Sequence, residues 1–77
     1  HDIKTLRALL IEIIGALPTR EREIIVATQL RDPPASLTVL GIHYGISKER
    51  VRQLRERGFE RLRTTLGRRD LELEYFV

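Results

Sequence analysis

A six-residue segment carries the side chains of this chain that are best suited to chemical recognition. Residues 48–53 read KERVRQ and contain one lysine, two arginines, one glutamate and one glutamine. Lysine and arginine can donate hydrogen bonds to O6 and N7 of guanine, glutamine can make two bonds to adenine, and glutamate can accept from N4 of cytosine. On a helix, all three chemistries would lie within two turns. The segment therefore predicts hydrogen bonding to the edges of base pairs.

The basic charge of the chain is concentrated around this segment. Residues 48–69 contain nine of the 14 lysines and arginines but only three of the 11 acidic residues, whereas the net charge of the whole chain is only +3. Such polarity is expected of a module that places one end on a phosphate backbone. An arginine-rich helix face that is merely solvated would have the same composition, so charge alone leaves both interpretations open.

Other kinds of site have little support in the sequence. The chain has no cysteine, and its two histidines, His1 and His43, are far apart and have no acidic residue at ligand spacing, which argues against a metal site. The acidic pair Glu21 and Glu23 is interpreted as helix-dipole partners and solubilising charges. Because no nucleophile with an organised base and no phosphate-binding glycine loop is present, we predict neither an enzyme, a cofactor nor a small-molecule substrate. No apolar run approaches the roughly 20 residues of a membrane span, which favours a cytoplasmic chain without a membrane partner.

The periodicity of apolar residues predicts an all-α fold in one domain, residues 1–77. Pro18 separates the first two helices, and the loop RDPPAS at 31–36 separates the second from the third. The tail, residues 67–77, alternates apolar and acidic residues, and its structure is left open. The predicted helices span residues 2–16, 19–30, 37–44 and 48–66.

The apolar residues also predict which helix faces are buried. The second helix is expected to bury Ile24, Ile25, Ala27 and Leu30. The fourth is expected to anchor itself through Val51 and Leu54, with a second helix approaching closely at Gly58, because glycine is otherwise unfavourable within a helix. The apolar stripe of the first helix is wider than one packing partner needs, which indicates either a central helix or a surface covered by another protein.

The segment between the third and fourth helices has the features of a tight turn. Gly45 can adopt the left-handed conformation of a helix end, Ile46 is an apolar plug, and Ser47 is a suitable N-cap for the next helix. Two helices joined in this way predict a helix-turn-helix without wing elements, in which the first turns of the second helix meet base edges in the major groove.

Three segments in this order and spacing resemble a known family. LPTREREII at 17–25, SLTVLGIHYGISKERVRQL at 36–54 and GFERLR at 58–63 resemble region 4 of bacterial RNA polymerase sigma factors, particularly the primary and heat-shock types. The resemblance covers about residues 10–66. It implies a domain of transcription initiation, cytoplasmic and associated with the nucleoid, that recognises the minus-thirty-five promoter element and docks on the flap of the polymerase beta subunit.

The resemblance also implies roles for individual residues. Base readers would be Lys48, Glu49, Arg50 and Gln53. Residues nearer the phosphates would be Ser47, Arg52 and Arg57. Contacts with promoter-bound activators would involve Arg57, Glu60, Arg61 and Arg63. A mixed set of core and flap-facing residues, which the sequence cannot separate, would include Leu10, Ile14, Leu17, Ile24 and Ile25.

Two positions of the third helix depart from the family pattern. Val39 and Ile42 stand where sigma factors usually carry polar or acidic residues. Together with Ile11 they form either an additional protein-binding surface or a patch that packs against the tail or against itself.

Two alternative functions stay open at this point. One is a free-standing helix-turn-helix regulator that dimerises through its first helix and reads a palindromic site. The other is a protein-interaction module, bound by the polymerase flap, an anti-sigma factor or another regulator, with little DNA binding of its own.

Overall fold

The computed structural model describes residues 3–68, and these residues fold as four helical segments. They are α1 (Ile3–Gly15), α2 (Thr19–Ile25, continued by a π-helical segment at Val26–Leu30), α3 (Leu37–Tyr44) and α4 (Lys48–Arg68). The predicted all-α fold and the order of the helices are confirmed. His1 and most of the tail, from residue 69 onwards, lie outside the described residues.

The second helix has the predicted extent, but its last five residues wind more widely than an α-helix. The hydroxyl of Thr28 donates to the carbonyl of Ile24 at 2.8 Å, a local bond that competes with the backbone ladder. A wider turn shifts the following side chains around the helix axis. This explains why the prediction of a buried Leu30 was wrong, since that side chain is 63% exposed.

The core lies where α2, α3 and α4 meet. Ile24 and Val51 are completely buried at its centre, and Leu54 packs beside them, so the expected anchoring of α4 by Val51 and Leu54 is confirmed. The other residues of this cluster come from α2, from α3 and from the segments on either side of α3. They are Ala27 and Leu40, with Ala35, Leu37, Tyr44 and Ile46 packed around them.

α2 lies close against α4 at Gly58. A Cβ atom built on Gly58 would collide with the side chain of Ile25, lying 3.3 Å from its Cγ1 atom and closer still to its Cδ1 atom. The prediction that another helix approaches at Gly58 is therefore confirmed. The missing side chain lets the two helices pack at short distance and fixes the position of α4.

Glu21 forms an ion pair between the same two helices. Its carboxylate is buried, and Arg61 Nε donates to Glu21 Oε1 at 2.9 Å. The interpretation of Glu21 as a solubilising charge was therefore wrong. A buried carboxylate needs a charged or hydrogen-bonding partner, and Arg61 supplies it from 40 residues further along the chain.

Tyr44 connects α2 to α3. Its hydroxyl donates to Glu23 Oε2 at 2.6 Å, and the guanidinium carbon of Arg20 lies 4.5 Å from the centre of its ring. Glu23 thus has a specific partner and is more than a dipole or solubilising charge. The pKa of Tyr44 is raised to about 12. Burial of the hydroxyl is the larger cause, and its hydrogen bond to Glu23 is the second.

This shift predicts a pH-dependent contribution of Tyr44 to stability. Because the pKa in the folded state exceeds the ordinary tyrosine pKa of 10.0, the contribution is fully present below about pH 10 and is lost as the pH rises towards about 12. We expect the difference in unfolding free energy between the parent chain and the Tyr44→Phe variant to shrink over this range. Urea unfolding followed by circular dichroism at pH 8, 10 and 11.5 measures it. Tyr75 is retained in both proteins and cancels in the difference. A difference that stays constant with pH would contradict the assignment.

Candidate nucleic-acid interface

The turn between α3 and α4 begins with a left-handed glycine. Gly45 has a φ of 67°, a conformation that other residues adopt only with strain. The amide of Gly45 donates to the carbonyl of Ile42 at 3.3 Å, and the amide of Ile46 donates to the carbonyl of Gly41 at 2.9 Å. This pair of bonds closes the end of α3. Ile46 packs against the core, so the predicted roles of Gly45 and Ile46 are confirmed.

A second glycine, Gly41, permits the turn to fold back onto α3. A Cβ atom at Gly41 would lie only 2.8 Å from the carbonyl oxygen of Ile46 and 3.4 Å from the amide nitrogen of Lys48. No role was predicted for Gly41 from the sequence. The available signal was a glycine within a short apolar helix, four residues before the glycine of the turn, where a helix gains nothing from it.

Ser47 caps the N-terminus of α4. Its Oγ atom accepts a hydrogen bond from the amide of Arg50 at 3.0 Å, which confirms the predicted cap. The hydroxyl proton of Ser47 is still available as a donor. The positive end of the α4 dipole and this hydroxyl therefore both favour an anion at the N-terminus of α4.

The first turns of α4 present their polar side chains away from the core. Lys48, Glu49, Arg52 and Gln53 are exposed, whereas Arg50 is half-buried at the side of the helix. At about 100° per residue, the four exposed side chains fall within an arc of about 140°. The fold thus brings three of the four predicted base readers, Lys48, Glu49 and Gln53, onto one accessible surface, whereas Arg50 lies beside it and is half-buried. Their contacts with bases remain a prediction.

Two pairs of side chains order this surface. Arg52 donates to both carboxylate oxygens of Glu49, from Nε at 2.9 Å and from Nη2 at 2.6 Å. These bonds lower the pKa of Glu49 and raise the pKa of Arg52, so both side chains are charged at neutral pH. Arg50 Nη1 makes a longer bond of 3.4 Å to Gln53 Oε1. Arg57, which is predicted to lie near a phosphate, is exposed. It lies about 14 Å further along the helix axis than Lys48.

The structure separates the mixed set of core and partner residues. Leu17, Ile24 and Ile25 are buried, so these three belong to the core. Ile24 and Ile25 pack beneath α4. Their apolar side chains serve the core, and in the sequence they look the same as apolar residues that bind a partner. Leu10 is partly exposed and Ile14 is half-buried, and both keep surface on α1 that another protein could contact.

A groove of about 370 Å³ separates the end of α1 from the C-terminal half of α4. Arg61 lies in its wall but is held there by Glu21, whereas Arg63 makes an exposed i,i+3 pair with Glu60 at 3.3 Å. The α1 side contributes an apolar wall and the α4 side a polar one. The lining residues are Ile13, Ala16, Leu17, Pro18, Glu60, Arg61, Thr64, Thr65 and Arg68.

The described part of the chain lacks two other kinds of site. Within residues 3–68, no helix combines the length and apolar character needed to cross a bilayer. The same residues contain no cluster of three histidine, aspartate or glutamate side chains that could bind a metal ion.

A capped second helix, anchored by its apolar side and exposing lysine, arginine and glutamine on its first turns, defines a helix-turn-helix DNA-binding domain. The family model described as "Sigma-70, region 4" matches residues 13–64. The chain therefore belongs to the sigma-70 region 4 family, a family of sigma-factor domains and not of enzymes. The resemblance seen in the sequence is confirmed.

Known relatives agree with this assignment. The RNA polymerase sigma factor RpoH of Caulobacter vibrioides is 45% identical over 64 residues, covering 82% of this chain and 22% of the relative. RpoH of Rhizobium radiobacter is 37% identical over 71 residues, covering 92% and 24%. RpoH of Zymomonas mobilis is 41% identical over 58 residues, covering 75% and 19%. The chain thus spans about a quarter or less of these relatives, and it corresponds to region 4 of a heat-shock-like sigma factor. No solved structure matches it significantly.

Proposed function

We propose that this domain recognises the minus-thirty-five element of promoter DNA during transcription initiation, with α4 in the major groove. The observation that carries this proposal is the exposed arc of Lys48, Glu49, Arg52 and Gln53 on a helix whose opposite side is fixed in the core. This arrangement places hydrogen-bond donors and acceptors for base edges on a rigid support.

The side chains divide between base edges and the phosphate backbone. Lys48 and Arg50 would donate to guanine, and Gln53 would make two hydrogen bonds to adenine. Arg52 and Arg57 fit phosphate contacts, and the hydroxyl of Ser47 adds a neutral donor at the helix end. Glu49 already accepts two bonds from Arg52, but its remaining lone pairs can accept from cytosine N4.

Docking on the polymerase would supply the affinity that a small DNA-binding module lacks. A single module makes few contacts, so its own binding is modest and depends strongly on salt. We assign the flap of the beta subunit to the groove between α1 and α4, together with Leu10 and Ile14 on α1. Attachment there would raise the effective concentration of α4 at the promoter. Such a domain acts in the cytoplasm, at the nucleoid, and performs no catalysis itself.

Contacts with an activator or an anti-sigma factor are assigned to Arg63 and Glu60 in preference to Arg61. Arg63 and Glu60 are both exposed and pair with each other across one helical turn. Exposed pairs of this kind are worth little and are easily exchanged for a partner. Arg61 is less available because its Nε atom is bound to the buried Glu21.

Fluorescence anisotropy of the domain with labelled duplexes tests the proposal. We expect tighter binding to a duplex with a minus-thirty-five-like element than to a scrambled one of equal length, and weaker binding to both as salt increases. Equal affinity for both duplexes at low salt would exclude independent promoter reading and favour the protein-interaction module. Sedimentation of the free domain addresses the other alternative, because a dimer that prefers a palindromic site would indicate a free-standing regulator.

A further inference from the structure

A second groove, of about 560 Å³, lies between α2 and α3 on the side away from α4. Its floor is mostly aliphatic, formed by Val26, Ala27 and Ala35 from α2 and the following loop and by Val39 and Leu40 from α3. No residue of α4 lines it. Occupation of this α2–α3 groove is therefore compatible with an unobstructed DNA-reading surface.

The apolar surface continues from the groove over the outside of α3. Val39 is 57% exposed and Ile42, one turn later on the same side of the helix, is 77% exposed. Two large aliphatic side chains next to an apolar groove form a patch of the kind that marks protein-binding surfaces. The structure thus excludes burial of these two side chains against α2 or α4.

The charged groups at the rim indicate what kind of partner fits. Arg22 and Arg31 both line the groove. Arg22 donates to a neutral group, the carbonyl of Gly15, at 3.3 Å, so its charge is not neutralised by that contact. Among the lining residues Glu23 is the one carboxylate, and the hydrogen bond from the neutral hydroxyl of Tyr44 does not remove its charge, so two arginines stand against one carboxylate. The rim therefore offers positive charge to an incoming group.

We propose that the α2–α3 groove, with Val39 and Ile42, binds an acidic amphipathic helix of another protein. A groove between two packed helices accepts the apolar side of a third helix. The aliphatic side chains of the partner would cover Val39 and Ile42, while its carboxylates would face Arg22 and Arg31. This interaction does not depend on promoter reading, because the groove and the first turns of α4 share no residue.

Titration of the ¹⁵N-labelled chain with three synthetic 14-residue peptides tests this inference. The probes are a leucine–glutamate amphipathic peptide, its leucine–lysine counterpart and a serine–glutamate peptide. We expect only the leucine–glutamate peptide to shift the amide signals of Val26, Ala35, Val39 and Ile42, with binding that weakens as salt increases. Equal binding of the leucine–lysine peptide, or shifts confined to the groove between α1 and α4, would overturn the inference.

Serine substitutions of two exposed isoleucines distinguish binding at the proposed surface from nonspecific binding to exposed apolar side chains. Ile42→Ser should weaken binding of the leucine–glutamate peptide by at least about tenfold, because it removes one large aliphatic side chain that the peptide would cover. Ile11→Ser is the matched control, because Ile11 is likewise an exposed isoleucine, at 65%, but lies on α1. Equal effects of the two substitutions would overturn the proposal. Sedimentation showing that the free chain covers this patch by dimerising, with loss of the dimer in Ile42→Ser, would also overturn it.

Discussion

The combined replacement of Arg50 and Gln53 by alanine is expected to remove the preference of this domain for its promoter element. Both side chains lie on the first turns of α4, where Arg50 Nη1 donates to Gln53 Oε1 at 3.4 Å. A bidentate contact with the correct base contributes about 1–3 kcal/mol of discrimination. Loss of two such contacts should therefore reduce affinity for the element by at least about 30-fold. Affinity for the scrambled duplex should change much less.

The fold itself should tolerate this double substitution. Arg50 contributes to the cap of α4 through its backbone amide, which alanine retains, and Gln53 is exposed. Alanine is also a favourable residue within a helix. Circular dichroism should therefore show an unchanged helical spectrum and an unchanged melting temperature within about 2 °C.

Arg57→Ala is the matched control for this experiment. A phosphate contact carries no sequence information, so its loss should weaken binding to both duplexes by the same factor. It should also reduce the slope of log affinity against log salt by about one. If Arg50→Ala with Gln53→Ala instead weakens both duplexes equally, these two residues do not read bases. If Arg57→Ala changes the preference for the element, the division between base and phosphate contacts is wrong.

The helix-turn-helix could be predicted from the sequence because its signals are local. The left-handed Gly45, the plug Ile46 and the cap Ser47 each act within a few residues of their own position. Pro18 and the loop at 31–36 likewise interrupt the chain where they stand. Gly58 carried longer-range information, since a glycine within an otherwise regular helix indicates that another backbone or side chain lies close by.

The features that the sequence did not predict depend on residues that are distant along the chain. Nothing near Glu21 or Glu23 indicates that their partners are Arg61 and Tyr44. Leu30 was assigned to the core by extending a 3.6-residue period through a segment that winds more widely. The separation of buried Ile25 from accessible Leu10 also required the positions of the other helices, since both are aliphatic residues on amphipathic segments.

The ion pair between α2 and α4 should respond very differently to the loss of each partner. Glu21 has a side chain that is only 7% exposed, whereas that of Arg61 is 55% exposed. Arg61→Met should destabilise the domain by about 2 kcal/mol, because it removes the charged donor from a buried carboxylate and leaves it poorly solvated. Glu21→Gln should have a smaller effect, since the amide oxygen can still accept from Arg61, and water solvates the rest of the guanidinium.

Urea unfolding of both variants, with Arg63→Met as the control, measures this asymmetry. Arg63 pairs with Glu60 at the surface, so its replacement should cost no more than about 0.5 kcal/mol. If Arg61→Met is as stable as Arg63→Met, the pair with Glu21 does not support the fold, and Arg61 is then as available to a partner protein as Arg63. If Arg61→Met is the less stable variant, any loss of activator response that it shows must be compared with a variant of equal stability. Arg63 would then be the cleaner probe of an activator contact, because it lies on the same helix without holding a buried charge.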